Sequence, residues 1–123
     1  MHPHRLFMVV DTNPRVRLAI RGLLEAEFPD AAIVEAASAE EALGLAEAQA
    51  YSLILLDVRL AGRNGISALP RLRKCQPGAP IVMVANVPGD QYAPAAMRAG
   101  ASAFVSKERV HEDLCGVVAG LLA

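Results

Sequence analysis

The strongest constraint on this chain is a regular alternation of two kinds of segment. Five short apolar runs recur along it: "LFMVV" (6–10), "AIVEA" (32–36), "LILL" (53–56), "IVMVA" (81–85) and "AFVS" (103–106). They are brief, rich in β-branched residues and apolar on both faces, as strands of a parallel sheet covered by helices must be. The segments between them have helical spacing. "PRVRLAIRGLLEAEF" sets Val16, Ala19, Ile20, Leu23 and Leu24 on one face, behind a proline suited to a first turn. Ser38 precedes Glu41 by three residues, the spacing of a capping box. "ISALPRLRK" and "DQYAPAAMRAG" carry Pro70 and Pro94 close to their expected starts, which predicts short or irregular first turns. The closing "EDLCGVVAGLLA" lines up Leu114, Val117, Val118, Leu121 and Leu122. Strands and helices in this order pair in parallel through right-handed crossovers. The expected fold is therefore α/β, a doubly wound five-stranded parallel sheet flanked by helices.

Size and composition narrow the function classes. A chain of 123 residues suits one domain, 1–123, with a real core. Hydrophobic residues at 54% exclude a disordered chain, and no stretch reaches bilayer length. "MHPHR" leads straight into an apolar run, with no secretory signal. A net charge of −1 without charged blocks argues against direct nucleic-acid binding by this domain. Cys75 and Cys115 lack metal or CxxC spacing and read as reduced thiols of a cytoplasmic protein. His2, His4 and His111 have no partners at ligand spacing.

In such a sheet, ligands sit beyond the carboxyl ends of the strands. Those ends read Asp11-Thr12-Asn13, Asp57, Ala85-Asn86 and Ser106-Lys107. Within "LILLDVRLAGRNG" an apolar run ends on one acid, Asp57, and spills into a loop holding Arg59, Gly62, Asn64 and Gly65. Asp11 and Asp57 together could hold a hard divalent cation such as Mg²⁺, with Lys107 neutralising a phosphoryl group.

These stretches resemble the receiver domain of two-component response regulators, over nearly the whole chain. "VVDTNP" resembles that family's acidic loop, "LILLDV" its phosphoacceptor strand and "GASAFVSK" its fifth strand. "EAASAEEAL", "NGISALPRLR" and "QYAPAAMRAGA" resemble the branch usually joined to a LuxR/NarL-type helix-turn-helix output domain. The resemblance implies a flavodoxin-like, CheY-like fold with Asp57 as phosphoacceptor and Lys107 as the phosphoryl-contacting lysine. It implies a Mg²⁺ site made by Asp11, Asp57 and the Arg59 backbone carbonyl. Phe104 becomes the switch aromatic and Ala85 its switch partner. A sensor histidine kinase or phosphotransfer protein is the implied partner, DNA being reached only through an output domain. For the isolated domain a weak homodimer through the last helix is expected, and no membrane association.

The chain departs from the family's pattern at three positions. Thr12 stands where a second acid is usual, so Mg²⁺ should bind weakly and meet Thr12 weakly or through water. Ala85 stands where a hydroxyl residue is usual, and Ala61 where a proline is usual. An alternative reading follows from the first two: a degenerate receiver acting as a phosphate-independent interaction module. Catalysis on a similar fold is disfavoured. A phosphohydrolase of this kind needs an acid where Arg59 stands, and "DTNPRVR" is no flavin phosphate loop.

Overall fold

The computed structural model describes residues 5–60, 63–86 and 89–123. The elements run β1 (Arg5–Val10), α1 (Pro14–Glu27), β2 (Ala31–Ala36), α2 (Ala39–Ala48), β3 (Leu53–Asp57), β4 (Arg59–Leu60) and β5 (Arg63–Asn64). They continue as α3 (Gly65–Cys75), β6 (Ile81–Ala85), α4 (Gly89–Ala99), β7 (Ala103–Ser106), a 3-10 turn (Lys107–Arg109) and α5 (Val110–Leu122). Five strands form one parallel sheet in the order β2-β1-β3-β6-β7. This is the expected doubly wound layer structure.

Side-chain alternation divides the core. Met8, Ile54, Leu56 and Met83 face α2, α3 and α4, meeting Ala42, Leu43, Leu69, Leu72 and Ala96. Phe7, Val9, Leu55, Val82, Val84 and Val105 face α1 and α5, meeting Ile20, Leu24, Leu114 and Val118. The central strands β3 and β6 are buried along their whole length, which explains their unbroken apolar sequence. The stripe on α5 is spent on this covering: Leu114 and Val118 are buried, and Val117, Leu121 and Leu122 lie partly buried against the same cluster. Gly116 and Gly120 face open space, so their spacing serves no close packing among the described residues.

Local differences from the sequence expectations have physical causes. Pro70 and Pro94 lie inside α3 and α4, with no irregular first turn. Both are exposed, so the missing N–H falls on the solvent side while Leu69, Leu72 and Ala96 anchor the opposite face. The capping box forms with a shifted partner. Ser38 Oγ accepts the Glu41 N–H at 3.1 Å, and Glu41 Oε1 reaches past Ser38 to the Ala37 N–H at 2.7 Å. The antiparallel pair β4–β5 and the 3-10 turn are two- and three-residue features that periodicity does not reveal.

A buried Gln76 closes the end of the molecule opposite Asp57. Its Oε1 accepts the Tyr51 N–H at 3.0 Å, and its Nε2 donates to the carbonyls of Ala46 and Gln49 at 2.8 and 2.7 Å. Nearby, Arg73 on α3 donates to the carbonyls of Gln76, Pro77, Ala79 and Gly100 and to Ser102 Oγ. It thereby ties the end of α3 to the chain entering β7. Gly100 holds φ +117 there, a conformation that favours glycine.

Candidate phosphoacceptor site

The sheet order reverses between β1 and β3, and the crevice at their carboxyl ends is where the acids gather. Asp11 prolongs β1 by one residue, its N–H donating to Ala36 O at 3.1 Å. By alternation Asp11 follows Phe7 and Val9, and Asp57 follows Leu53 and Leu55. The two carboxylates therefore project to the same side. Lys107 enters from the turn after β7. Its Nζ lies 2.8 Å from Asp11 Oδ2 and 3.3 Å from Asp57 Oδ1.

All three groups are withdrawn from solvent: the side chains of Asp11, Asp57 and Lys107 are 3%, 8% and 13% exposed. Burial raises the Asp57 pKa above the usual carboxylate range, and the neighbouring charge of Asp11 raises it further. Lys107 and the Arg59 backbone N–H, both bonding the carboxylate, pull the other way. Arg59 thus brings an amide donor to the site while its side chain stays exposed. Gly65 lets α3 begin directly under this strand end. A Cβ there would overlap the Asp57 carbonyl oxygen, so the close approach requires glycine.

The donor set fits a hard cation. Asp11 Oδ1 accepts the Asn13 N–H at 2.8 Å. Asp11 Oδ2 is buried and takes no hydrogen bond of good geometry, although the Lys107 ammonium stands beside it. An oxygen with an unused lone pair next to a second carboxylate suits Mg²⁺, which needs only one or two protein carboxylates and keeps water elsewhere. Among the described residues no cluster of three or more acids, histidines or cysteines is available, so two carboxylates are what this rim offers.

Of the remaining expected residues, Thr12 is exposed at the lip of the rim. Ala85 is buried at the end of β6, where it pairs with Ser106. Phe104 is partly buried against the cluster that holds Ala85 and Met83. Ala61, Gly62, His2 and His4 lie outside the described residues, while His111 is exposed. A cleft of about 240 Å³ adjoins the rim, with Val16, Ala19, Ile20 and Val110 as its apolar wall and Arg15, Asn86 and Lys107 at its edge.

Sequence reasoning missed a clamp behind the acidic loop. Arg17 NH1 donates to the carbonyls of Asp11 and Thr12 at 2.6 and 3.4 Å, and its Nε donates to Glu35 Oε1 at 2.8 Å. Arg21 NH1 holds the other oxygen of Glu35 at 2.9 Å. Hydrogen bonds from Arg17 and then Arg21 keep the Glu35 carboxyl below its ordinary pKa. The i,i+4 spacing of the two arginines is visible in the sequence, but a strand partner for them is not.

Comparison with known proteins agrees with this geometry. The sequence profile of the response regulator receiver domain matches residues 7–119. The nitrate/nitrite response regulator protein NarL of Escherichia coli K12 is 31% identical over 108 residues, 87% of this chain and 50% of that protein. The chain spans about half the length of the curated relatives it matches. A LuxR-family two-component response regulator from an Aurantimonas species superposes with TM-score 0.88 at 32% identity, covering 98% of this chain and 86% of that one. A response regulator from Burkholderia pseudomallei, solved with a phosphorylated aspartic acid, a calcium ion and citrate, gives TM-score 0.84 at 26% identity over 93% of this chain and 66% of that one. With its sheet order and convergent acids, this chain belongs to the response regulator receiver domain family of two-component signalling.

Proposed function

We propose that Asp57 is the phosphoacceptor of this receiver domain. One observation carries the reading: a single ammonium, Lys107, bridges two buried carboxylates at the switch point of the sheet. A carboxylate oxygen of Asp57 attacks the phosphorus of a donor, forming an O–P bond as the bond to the leaving group breaks. With a phosphohistidine partner, that leaving group is the imidazole. Lys107 moves from neutralising the acids to neutralising the incoming phosphoryl oxygens. Mg²⁺ would be held by Asp11, Asp57 and the Arg59 carbonyl, with Thr12 reached through water, and supplies charge compensation for the phosphoryl oxygens. The calcium ion and phosphorylated aspartate of the Burkholderia protein support this assignment by likeness.

The donor is a sensor histidine kinase, a phosphotransfer protein or a small acyl phosphate. Ala85 and Phe104 occupy the family's switch positions, at the end of β6 and on β7. The output is transcription regulation through a DNA-binding domain, in keeping with the branch that the sequence resembles and with likeness to a putative transcriptional regulator of Pseudomonas aeruginosa. The protein acts in the cytoplasm; among the described residues no helix is long and apolar enough to cross a membrane. Self-association of the isolated domain is weak, because the α5 stripe already covers the sheet. Sedimentation at high concentration, with and without beryllofluoride, checks this.

The test of the phosphoacceptor is direct. Wild type incubated with acetyl phosphate and Mg²⁺ should take up acid-labile phosphate, and Asp57→Asn should take up none. Equal uptake by the variant would overturn the assignment.

A further inference from the structure

We propose that Arg17, anchored by Glu35, is the positioning residue of the acidic pocket, holding the main chain of Asp11 and Thr12 so that the Asp11 carboxylate faces the cation. The proposal rests on the reading of this rim as a Mg²⁺-assisted phosphoacceptor site.

The geometry of Asp11 carries it. Each polar group of this residue has an assigned direction. Its N–H is fixed to Ala36 O, Oδ1 to the Asn13 N–H, and Oδ2 faces Lys107. The remaining group is the carbonyl, and Arg17 NH1 holds it at 2.6 Å while also lying 3.4 Å from the Thr12 carbonyl. Bonding both carbonyls restrains the Asp11–Thr12 peptide and the Thr12–Asn13 peptide, the second of which carries the Asn13 N–H. Rotation there would swing the Asn13 N–H away from Oδ1 and tip the carboxylate off the rim.

Arg17 is itself fixed. Its side chain is 16% exposed, and Glu35 engages Nε from β2, a strand that shares the ladder with β1. Glu35 is held from its far side by Arg21. A lysine cannot do this work, because the clamp needs one group bonding a carboxylate on one edge and carbonyls on another, which only the planar guanidinium provides. Thr12 gives the clamp added weight. Where a second acid would let the cation itself tether the loop, this chain has Thr12, which adds no charge to the rim.

The test compares wild type, Arg17→Gln, Arg17→Lys and Glu35→Gln. Mg²⁺ is titrated and followed by amide NMR, and the Asn13 amide exchange rate is measured without metal. In Arg17→Gln and Arg17→Lys the apparent Mg²⁺ affinity should fall about tenfold, the scale of groups that orient metal ligands. Glu35→Gln should show a smaller loss in the same direction. Phosphate uptake from acetyl phosphate should be impaired at low Mg²⁺ and should recover as Mg²⁺ is raised, which a loss of transition-state stabilisation would not do. Asn13 amide exchange should quicken in the Arg17 variants. Unchanged Mg²⁺ affinity in folded variants would overturn the proposal, as would an impairment that Mg²⁺ does not relieve. A wild type that binds no Mg²⁺ would instead defeat the site reading. The Asn13 exchange rate then still decides whether the clamp exists, an unchanged rate refuting it.

Discussion

Lys107 stands nearer to Asp11, at 2.8 Å, than to Asp57, at 3.3 Å. In this resting arrangement the lysine stands closer to the more buried acid, without a hydrogen bond of good geometry to it, and compensates the prospective nucleophile only in part. The raised pKa of Asp57 follows first from its burial and then from the charge of Asp11, which Lys107 offsets only in part.

A pH dependence follows. For an acid whose native pKa is raised, the folded protein binds the extra proton. As pH rises from the usual carboxylate range through the raised native value, stability therefore falls, and above that it is level. Asp57→Asn removes the uncompensated charge. It should stabilise the fold at neutral pH by about 1 kcal/mol, a common size for single substitutions. The advantage should shrink as the pH falls toward the carboxylate range. Urea denaturation of both proteins across acidic and neutral pH measures it; a variant less stable than wild type at neutral pH would contradict the argument.

Thr12→Asp should tighten Mg²⁺ binding roughly tenfold, about 1.4 kcal/mol, because a carboxylate joins a rim that offers two. Calorimetry on the two proteins reads the difference. Equal affinities would mean that ligand charge does not limit binding here.

Gly65→Ala should be destabilising by about 1–3 kcal/mol, as forced overpacking usually is. The new methyl group would overlap the Asp57 carbonyl, so the strand end must shift. Phosphate uptake should fall along with the denaturation midpoint. A neutral Gly65→Ala would show that α3 can slide freely under Asp57.

Phe104 already lies against the cluster containing Ala85, which has no hydroxyl for a phosphoryl group to attract. Filling that space recovers apolar burial of roughly 25 cal/mol per Å². Its ring should therefore be uncoupled from the state of Asp57. Beryllofluoride should leave the Phe104 ring resonances nearly unmoved in wild type and shift them in Ala85→Thr, where a hydroxyl can respond. Equal shifts in both proteins would refute the uncoupling.

The legibility of this fold tracks the range of the interactions that make it. All five main strands sit within one residue of their apolar runs, because burial on both faces writes a continuous pattern. Asp11, Asp57 and Lys107 could be placed on one rim because strand ends in a parallel sheet share an edge. What stayed hidden was non-local or very short. Glu35 looked like a polar interruption of "AIVEA", and only the fold shows it seated between Arg17 and Arg21. Gln76 gave no sign that its amide would tie the end of α3 to the stretch from Ala46 to Tyr51. Pro70 and Pro94 misled because propensity near a helix start is weaker than tertiary anchoring.

The Arg73 junction divides responsibility unevenly between donor and acceptors. Four of its five partners are main-chain carbonyls, which every residue type possesses. The exposed Pro77 can therefore be exchanged without altering what the guanidinium meets, while Ala79 is limited by its burial. Gln76 and Gly100 are constrained for separate reasons, the one by its buried amide and the other by its backbone conformation. The donor has no such latitude. The seam between α3 and the entry to β7 is addressed to a shape of backbone rather than to a string of side chains, and one arginine carries the whole address.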